Sequence, residues 1–566
     1  MSTKNNKVDV LVVGAGPTGL TMACELLRRG ITCRIIDKAA APGLSSRAIG
    51  VQARTLEVFD RMGIIEEVLS KGVRIGIKAY DRDTLLLHMN FHFLSSDAIP
   101  YPFGLMLPQN VTEELLIELL HKEGGAVEHL KEVTELRQEA ERVIVTVHNF
   151  QDDTYEELQA NWVIGCDGAH SRVRKALELA FEGSTYEEEY LLGDVDLDWK
   201  RSTEDVYVWM HRDGQFAAFP LPNNKWRLLT TVPTTDGQDA PQASVALFQQ
   251  LMQERTGDNT TTISNPIWLS NFKINRRMVN SYRKRRIFLA GDAAHVHSPF
   301  GGQGMNTGIQ DAFNLAWKLA LVIQGKALDA LLDTYQQERL PIARKVLTNT
   351  DQHTRIFFAK NIAMRLLRDH LVIPLLNRGF VQHRMLWEAS ELGISYRSSP
   401  LSLVTLSSRA EQPSRKQWSR HALRPGDRAS DGHCVRLPNH EPTSLFHEFR
   451  GTTSHLLMFA GQVQTHSDTA QLVKAAKRIK EILGDEVKIS LIVGQDQAGE
   501  NLDWDGSILL DPEHVLHTRY GVTGSSLYFI RPDGYIGYCC QLAQDKLLFE
   551  YLEQWFVPSK VEVSLP

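Results

Sequence analysis

Cysteine is scarce in this chain, and so are long apolar stretches. The six cysteines among 566 residues form no Cys-x-x-Cys pair and no metal-ligand cluster, which argues against a disulfide scaffold, a redox dithiol and a metal centre. No apolar run approaches the roughly 18 residues that span a membrane, and the first residues lead into a strand without a signal peptide. We therefore expect a cytoplasmic protein without disulfides, bound metal or a membrane anchor.

An excess of positive charge is also missing. The net charge of −6 and the pI near 6.4 argue against nucleic acid or an anionic membrane as the main partner. A hydrophobic content of 43% and a charged content of 23% are ordinary for a soluble globular protein. At about 150 residues per domain, the length predicts three or four structural units.

The first positive signal is a nucleotide-binding turn near the N-terminus. Val8–Val13 reads as a buried strand, Gly14–Gly19 fits Gly-x-Gly-x-x-Gly, and a helix follows. A second strand, Thr32–Ile36, ends at Asp37. The glycines allow a tight turn, the helix N-terminus receives a pyrophosphate and the acid accepts from ribose hydroxyls. An acid here favours FAD or NAD over NADP; the alternative is a glycine-rich turn that only packs a strand against a helix.

Weaker polar signals follow in the next part of the chain. Arg47 could pair with a phosphate or be an ordinary surface charge, and Gln109 lies at the start of a predicted helix. Trp162–Cys166 predicts another buried strand, which runs into Asp167-Gly168. Taken singly, each of these signals could equally be a capped helix or a solvated charge.

Between Phe181 and about Asn275 the strand–helix alternation changes to a β meander. Strands are predicted at Val206–Arg212, Gln215–Leu221 and Trp226–Val232, separated by turn residues. A sheet inserted between nucleotide-binding segments can cover a cofactor and form one wall of a substrate cavity. Three aromatic residues of this sheet could line that cavity, although core packing is the more usual role for any one of them: Trp209, Phe216 and Phe219.

The strongest signal lies at Arg286–Asn306. A short apolar strand, Ile287–Ala290, ends at Gly291-Asp292, a glycine-rich loop follows, and a long helix begins at about Asn306. A strand that delivers an aspartate and a glycine-rich turn onto a helix N-terminus suits a polar, electron-rich ligand. His297 lies in this loop, where a histidine is more often a structural hydrogen-bonding group than a base, so the sequence nominates no catalytic residue.

Together, Gly14–Gly19, Asp37, Asp167-Gly168 and Gly291–Asn306 resemble the three nucleotide motifs of the FAD-dependent aromatic hydroxylases. These are single-component flavoprotein monooxygenases, and the resemblance covers about residues 7–345. It is closest to the branch acting on phenols and polycyclic polyketides. The resemblance implies an α/β fold with a Rossmann-like FAD-binding domain, an inserted β-sheet substrate domain and a C-terminal thioredoxin-like α/β domain.

The C-terminal part returns to a strand–helix pattern. Strands are predicted at His455–Phe459, Val487–Val493 and Ser526–Ile530, and Arg531–Gly534 forms a hairpin turn. No cysteine pair follows the first of these strands, so disulfide exchange is not expected. The expected divisions are 1–400 for the FAD-binding monooxygenase region (FAD-binding parts 1–80, 101–180 and 275–345; substrate sheet 81–100 and 181–274; helices 346–400) and 415–566 for the thioredoxin-like domain.

The resemblance also implies roles for individual residues. Glycines of the first motif would hold the FAD pyrophosphate, Asp37 the adenosine ribose and Asp292 a ribityl hydroxyl, while Asp167-Gly168 would serve both FAD and NAD(P)H. Candidate substrate contacts, all weak, are Trp209, Phe216, Phe219 and His297. The implied cofactor contacts are Gly14, Gly16, Pro17, Thr18, Gly19, Asp37, Lys38, Arg47, Gln109, Asp167, Gly168, Gly291, Asp292, Pro299, Gly302, Gly304, Met305 and Asn306.

The reaction that the resemblance implies uses NADH or NADPH to reduce FAD. O2 then adds at flavin C4a, and the distal oxygen of the hydroperoxide hydroxylates a phenolic or polycyclic aromatic compound. A homodimer is also possible. Alternatives are a hydroxylase or epoxidase of a non-aromatic or antibiotic substrate, a flavoprotein reductase, and a flavin-binding protein without turnover. The intact Gly291–Asn306 loop argues against the last of these.

Overall fold

The computed structural model describes most of the chain. Arg47 and Pro299, two of the predicted cofactor contacts, lie outside the described residues. No helix in the described part is long and apolar enough to cross a membrane. The described residues are 6–43, 48–89, 94, 96–232, 240–298, 301–357, 361–402, 422–461, 466–495, 504 and 506–557.

The helices vary from single turns to the long pair α7 and α8, of which α7 is almost entirely buried. In chain order the α-helices are α1 (Pro17–Leu27), α2 (Ala53–Met62), α3 (Ile65–Lys71), α4 (Gln109–Lys122), α5 (Arg172–Ala176), α6 (Val245–Thr256), α7 (Gly304–Ile323), α8 (Ala330–Phe357), α9 (Ile362–Leu367), α10 (Ile373–Leu376), α11 (Gly379–Ala389), α12 (Leu445–Glu448), α13 (His466–Leu483), α14 (Val515–Tyr520) and α15 (Asp545–Trp555).

The strands belong to three sheets. In chain order they are β1 (Lys7–Val13), β2 (Cys33–Ile36), β3 (Gly50–Val51), β4 (Val73–Asp81), β5 (Thr84–Met89), β6 (Gly104–Met106), β7 (Val127–Glu128), β8 (Lys131–Gln138), β9 (Val143–Asn149), β10 (Thr154–Gly165), β11 (Glu182–Leu197), β12 (Asp205–His211), β13 (Gly214–Leu221), β14 (Lys225–Val232), β15 (Ile263–Met278), β16 (Arg283–Lys284), β17 (Ile287–Leu289), β18 (His295–Val296), β19 (His433–Leu437), β20 (Glu441–Ser444), β21 (Ser454–Phe459), β22 (Val487–Gly494), β23 (Ser507–Asp511), β24 (Ser526–Ile530) and β25 (Ile536–Gln541).

The first sheet carries the three predicted nucleotide motifs. Its order is β16-β17-β10-β1-β2-β7, and the antiparallel pair β8–β9 is added beside β10. Strand β1 is parallel to β10 and β2, and β10 is parallel to β17. In an open parallel sheet, ligands bind outside the carboxyl ends of the strands. The turns that follow β1, β10 and β17 therefore meet at one edge of this sheet.

The second sheet has ten strands, in the order β18-β15-β11-β14-β13-β12-β4-β6-β3 with β5 beside β4. The predicted meander is confirmed as β12, β13 and β14, each within one residue of its expected bounds. Strand β4 belongs to this sheet. The expected division, which placed residues up to 80 in the FAD-binding part, stays a prediction. Strand β4 also pairs with β5 and β6, and it joins the meander through β12, with Gly76 opposite Asp205. The pairing with β12 links distant residues and so leaves no local pattern.

The third sheet contains the C-terminal strands in the order β20-β19-β23-β22-β21-β24-β25. Strands β21, β22 and β23 are parallel, whereas β24 and β25 form an antiparallel hairpin. The predicted strands at β21, β22 and β24 are confirmed within one residue at each end. Helices α13 and α15 pack against the apolar face that contains Leu456, Leu491 and Phe529.

The C-terminal sheet is joined to the rest of the protein by buried charges. The hairpin turn Arg531–Gly534, called here the 531–534 turn, reaches α7 and α8. The Arg531 guanidinium donates to both carboxylate oxygens of Glu338 in α8 at 2.6 and 2.9 Å. The Asp533 carboxylate accepts from Asn314 at 3.1 Å and from the Trp317 indole at 3.3 Å, both in α7. A second buried pair joins Arg428 to Glu57 in α2.

Candidate functional site

The glycines of the first turn have different spatial roles. Gly14 has φ +103°, and a β-carbon there would lie 2.4 Å from the Cys166 carbonyl oxygen. A β-carbon at Gly19 would lie 1.9 Å from the Gly14 carbonyl oxygen, so Gly19 allows α1 to approach the turn. Gly16 has an ordinary φ of −74°, and a β-carbon there would meet no atom within 4 Å. Gly14 and Gly19 are needed for packing, whereas Gly16 leaves space beside the turn.

That space is part of a cavity of about 470 Å³. It is lined by six residues that the sequence analysis named as cofactor contacts: Gly14, Gly16, Asp37, Lys38, Asp167 and Gly168. Sequence reasoning missed charged residues from β8 and from around α5. Of the residues it missed, His170 and Arg172 lie within four residues of Gly168, close enough to the Asp-Gly motif to have been noticed. The charged and imidazole residues it missed are Lys131, Glu132, His170, Arg172 and Lys175.

The Asp37 carboxylate is held in place at the end of β2. It accepts from the backbone N–H of Ala15 at 2.6 Å and from that of Ala39 at 2.8 Å. Because Ala15 belongs to the glycine turn, the acid and the turn are fixed relative to each other. An ionised carboxylate has about four lone-pair sites, so it can still accept from ligand hydroxyls.

Asp167 binds backbone groups of the helix that follows it. Its carboxylate accepts from Ser171 Oγ at 2.5 Å and from the Arg172 and Val173 N–H groups at 2.6 and 3.2 Å. Burial raises the pKa of this carboxyl, partly offset by these donors. Arg174 donates to the Ala169 and Ala293 carbonyls at 2.7 and 3.0 Å, which links the second motif to the third.

The third motif packs directly on the first. Gly291 has φ +59°, and a β-carbon there would lie 2.6 Å from Thr18 Oγ1. Its N–H donates to Asp311 of α7 at 3.1 Å. Asp292 lies next in the same 3-10 turn and is exposed, at the sheet edge where the other turns end.

Helix α7 begins at Gly304, two residues earlier than the predicted start at Asn306. No side chain caps it, so the sequence lacks the usual start signal. Asn306 is fully buried, and its side chain binds three backbone groups: it accepts from Gln52 N–H and donates to the Gly50 and Gly302 carbonyls at 2.7–2.9 Å. Asn306 thereby fixes the glycine loop to β3. Met305 is half-buried against the main core.

Buried charged residues lie beneath the first turns of α7, and sequence reasoning missed them. Asp311 accepts from His295 Nε2 and from Arg339 Nε, both at 2.7 Å, and Arg339 also donates to the Thr307 carbonyl. Glu391 accepts from Thr307 Oγ1 at 3.2 Å and from Gln310. Burial raises the pKa of Glu391 to about 7. These contacts join long-separated positions, so no local motif marks them.

Two other predicted cofactor contacts are placed by local contacts. Gln109 Oε1 accepts from the Ala48 N–H at 3.2 Å, and its Nε2 donates to Glu113 at 2.8 Å. Gln109 thus holds the chain next to the segment that contains Arg47. Lys38 is exposed beside Asp37 at the cavity.

The four candidate substrate contacts lie in different surroundings. Trp209 and Phe216 are fully buried in an apolar cluster that also contains Phe248 of α6. Phe219 is half-buried and packs with Ile75 and Met106 in a different cluster. His297 Nδ1 donates to the Ser298 carbonyl oxygen at 2.9 Å, and burial lowers the pKa of His297 to about 4. The structure does not bring these four residues together.

The fold and site define a dinucleotide-binding α/β protein, and comparisons with known proteins define it further. A family model described as an FAD binding domain matches residues 7–350. A flavin-dependent monooxygenase from Mycobacteroides abscessus is 35% identical over 96% of this chain and 99% of its own length. The 6-methylpretetramide 4-monooxygenase of Streptomyces rimosus is 34% identical over 93% of this chain and 90% of its own length. The chain therefore belongs to the FAD-binding family of FAD-dependent monooxygenases.

Solved structures share the whole fold. The anhydrotetracycline hydroxylase of Streptomyces rimosus has a TM-score of 0.73 and 28% identity, covering 98% of this chain and 99% of its own. Aklavinone-11 hydroxylase in complex with FAD and aklavinone has a TM-score of 0.78 and 25% identity, covering 98% of this chain and 100% of its own. The predicted family, the mixed α/β fold and FAD as cofactor are confirmed.

Proposed function

We propose that this FAD-dependent monooxygenase uses NADH or NADPH and O2 to hydroxylate a phenolic or polycyclic aromatic compound. The observation that carries the proposal is the near full-length similarity to 6-methylpretetramide 4-monooxygenase. Over about three fifths of this chain, relatives are named for pentachlorophenol and for anhydrotetracycline. These names share aromatic, oxygenated substrates, and we extend that class to this chain.

The described residues fit FAD. The cavity at the first turn combines the open backbone of Gly16 with four cationic side chains and three carboxylates, and the backbone N–H groups of such a turn at a helix N-terminus suit a pyrophosphate. The cationic residues are Lys38, Lys131, Arg172 and Lys175, and the acidic residues are Asp37, Glu132 and Asp167. We propose that Asp37 binds the adenosine ribose and Asp292 a ribityl hydroxyl. The other predicted cofactor contacts remain proposals of the same kind.

When bound, FAD supplies the redox chemistry with O2, and the chain supplies position and electrostatics. The first N–H groups of α7, at Gly304, Met305 and Asn306, have no partner within the helix and present the positive end of its dipole. We propose that they face the flavin edge that gains negative charge on reduction. Asn306 keeps this turn and the Gly302 loop in register through its three backbone hydrogen bonds.

A substrate screen tests the proposed reaction. Purified protein should oxidise NADH or NADPH faster when a phenol or polycyclic aromatic is added, and product formed under ¹⁸O2 should carry the label. Faster oxidation that yields only hydrogen peroxide would refute hydroxylation of that compound. Labelled rifampicin, with no labelled aromatic phenol, would instead favour the antibiotic alternative, for which a relative named rifampicin monooxygenase is 37% identical over 60% of this chain.

The Gly16→Ala variant tests the proposed pyrophosphate site separately. The new methyl group meets no protein atom within 4 Å, so the variant should fold normally and yet bind FAD at least about tenfold more weakly, because the methyl occupies ligand space. Gly524→Ala is the matched control, since a β-carbon there also meets nothing within 4 Å. Wild-type FAD content in Gly16→Ala would place the pyrophosphate elsewhere.

We also propose that residues 422–557 form a thioredoxin-like domain without redox activity. The parallel strands β21 and β22, the antiparallel hairpin β24–β25 and the helix α13 between β21 and β22 support this assignment. All six cysteines of the chain are free thiols, and burial raises the pKa of Cys539 to about 12, which disfavours a reactive thiolate. Free thiols also suit the cytoplasm, the location that we propose.

We also propose a homodimer. Helix α9, the segment between α9 and α10 and the first turn of α11 expose large apolar side chains, including Leu366, Leu371 and Phe380, and exposed apolar patches often mark protein contacts. Light scattering coupled to size-exclusion chromatography gives the mass directly. A single-chain mass at micromolar concentration would contradict the dimer.

A further inference from the structure

A carboxylate and two imidazoles form a cluster that none of the FAD-site residues touches. Asp511 ends β23, His514 precedes α14 and His517 lies in its first turn, in the pattern Asp-x-x-His-x-x-His. One donor atom from each side chain lies within 4.8 Å of the other two donor atoms. Asp511 and His517 are fully buried, and His514 is half-buried.

Each of these three side chains contains a buried polar atom without a hydrogen-bond partner among the described residues. The atoms are Asp511 Oδ1, His514 Nδ1 and His517 Nε2. Leaving one buried donor or acceptor unpaired costs about 1–3 kcal/mol, and native proteins contain few such groups. These three atoms lie in one cluster, so an ion placed among the three side chains would have polar partners.

The backbone around His514 supports the same conclusion. His514 has φ +52° and ψ +30°, the left-handed region that a non-glycine residue enters at a cost of about 1–3 kcal/mol. Its ring lies so close to Gly494 that a β-carbon at Gly494 would be 2.4 Å from the ring. The ring centroids of His514 and His517 are consequently only 5.1 Å apart. An unfavourable backbone and a close glycine contact together hold the two imidazoles next to each other.

We propose that Asp511, His514 and His517 bind a divalent transition metal ion of the zinc class. Imidazole nitrogen and carboxylate oxygen are zinc donors with bonds of about 2.0–2.2 Å, and three protein ligands leave a coordination position for water. The Asp511 carboxylate accepts from the His517 N–H at 3.0 Å and from His517 Nδ1 at 2.8 Å, a separation at which one ion bound to both atoms would take the place of the Nδ1 proton. The ion would join the end of β23 to α14.

Zinc titration of the FAD-loaded, full-length protein tests the proposal. After dialysis against a chelator, the protein should bind one Zn²⁺ per chain in equilibrium dialysis. His514→Ala and Asp511→Asn should each weaken binding at least tenfold. His433→Ala is the matched control, because His433 is exposed on β19 in the same region, and it should bind as the wild type does. Zinc ligands must lose their protons, so affinity should fall as the pH is lowered through the histidine range.

Retained FAD content and circular dichroism show whether each variant is folded. X-ray absorption at the zinc edge of the wild-type protein gives a second readout that needs no variant, and it should show nitrogen and oxygen ligands that include imidazole. Sulfur ligands would overturn the proposal. Wild-type zinc binding that is equally strong in folded His514→Ala, or no Zn²⁺ bound by the wild-type protein at micromolar concentration, would also overturn it.

Discussion

Replacing Arg531 with methionine tests how residues 422–557 are fixed to helices α7 and α8. Arg531, Lys318, Glu338 and Asp533 form a cluster of two positive and two negative side chains, each at most 3% exposed. Methionine keeps much of the volume of the arginine stem and removes its charge. The variant therefore leaves two buried carboxylates with one remaining cation, Lys318, whose pKa burial already lowers to about 8.

The expected loss in unfolding free energy is about 3–5 kcal/mol, the cost of removing one partner of a buried ion pair. Adding Asp533→Asn restores the balance of one cation and one carboxylate, and the amide oxygen that it introduces can still accept from Asn314 and Trp317. The double variant should therefore be more stable than Arg531→Met alone by at least about 1 kcal/mol, because the stability effects of substitutions at contacting residues are not additive.

Urea unfolding of the FAD-loaded protein, followed by flavin fluorescence and circular dichroism, gives both differences. Arg436→Met is the control: it removes the same charge from the same region, but Arg436 pairs with Glu441 and Glu448 at an exposed position. Exposed pairs contribute about 0–1 kcal/mol. If Arg531→Met loses no more stability than Arg436→Met, or if Asp533→Asn destabilises it further, the charge-balance reasoning is wrong.

Three further predictions follow from single side chains. Gly14→Ala should give insoluble or FAD-free protein, because its β-carbon would lie 2.4 Å from a carbonyl oxygen at φ +103°; soluble, FAD-loaded protein would contradict this. Glu391 has a pKa raised from 4.5 to about 7, so its contribution to stability is full below pH 4.5 and is lost as the pH rises through 7. Between pH 4.5 and 8, the unfolding free energy of Glu391→Gln should therefore rise by about 3 kcal/mol relative to that of the wild type. Urea unfolding of both proteins at both pH values measures this difference. A difference that does not change with pH would show that Glu391 does not titrate in this range. His297 has a pKa lowered to about 4 and should stay neutral above pH 5. If the kcat/KM profile of the wild type has an acid limb near pH 6–7, His297→Gln should therefore keep it. Loss of that limb in the variant would assign the limb to His297.

The sequence predicted those parts of the fold whose causes are local. The Gly14–Gly19 turn, the strands of the meander and the C-terminal strands each carry their signal within about ten residues: alternating or continuous apolar positions bounded by glycine, proline or asparagine. The turn at Gly14 illustrates this, because its positive φ and its contact with Cys166 are requirements that only glycine meets.

The parts that the sequence did not predict depend on contacts between distant residues. Lys131, which lines the cavity, is brought there by β8, and β4 is joined to the meander through its pairing with β12. The buried cluster of Arg531 and Glu338 joins positions 193 residues apart. One further cluster was not predicted for another reason. Metal-site patterns based on cysteine do not include a carboxylate with two imidazoles, although the spacing of Asp511, His514 and His517 is visible in the sequence.

Helix α7 belongs to two apolar cores at once. Its residues Ile309 and Phe313 face the core of the nucleotide-binding sheet, whereas Trp317 and Leu321 face the core of the C-terminal sheet. A ligand that stabilises the first turn of α7 should therefore also stabilise the C-terminal strands, because they pack against the same continuous helix. Truncation before residue 422 would expose the Trp317 side of that helix, so the C-terminal quarter of the chain cannot be deleted, exchanged or evolved as an independent module without a compensating new surface on α7.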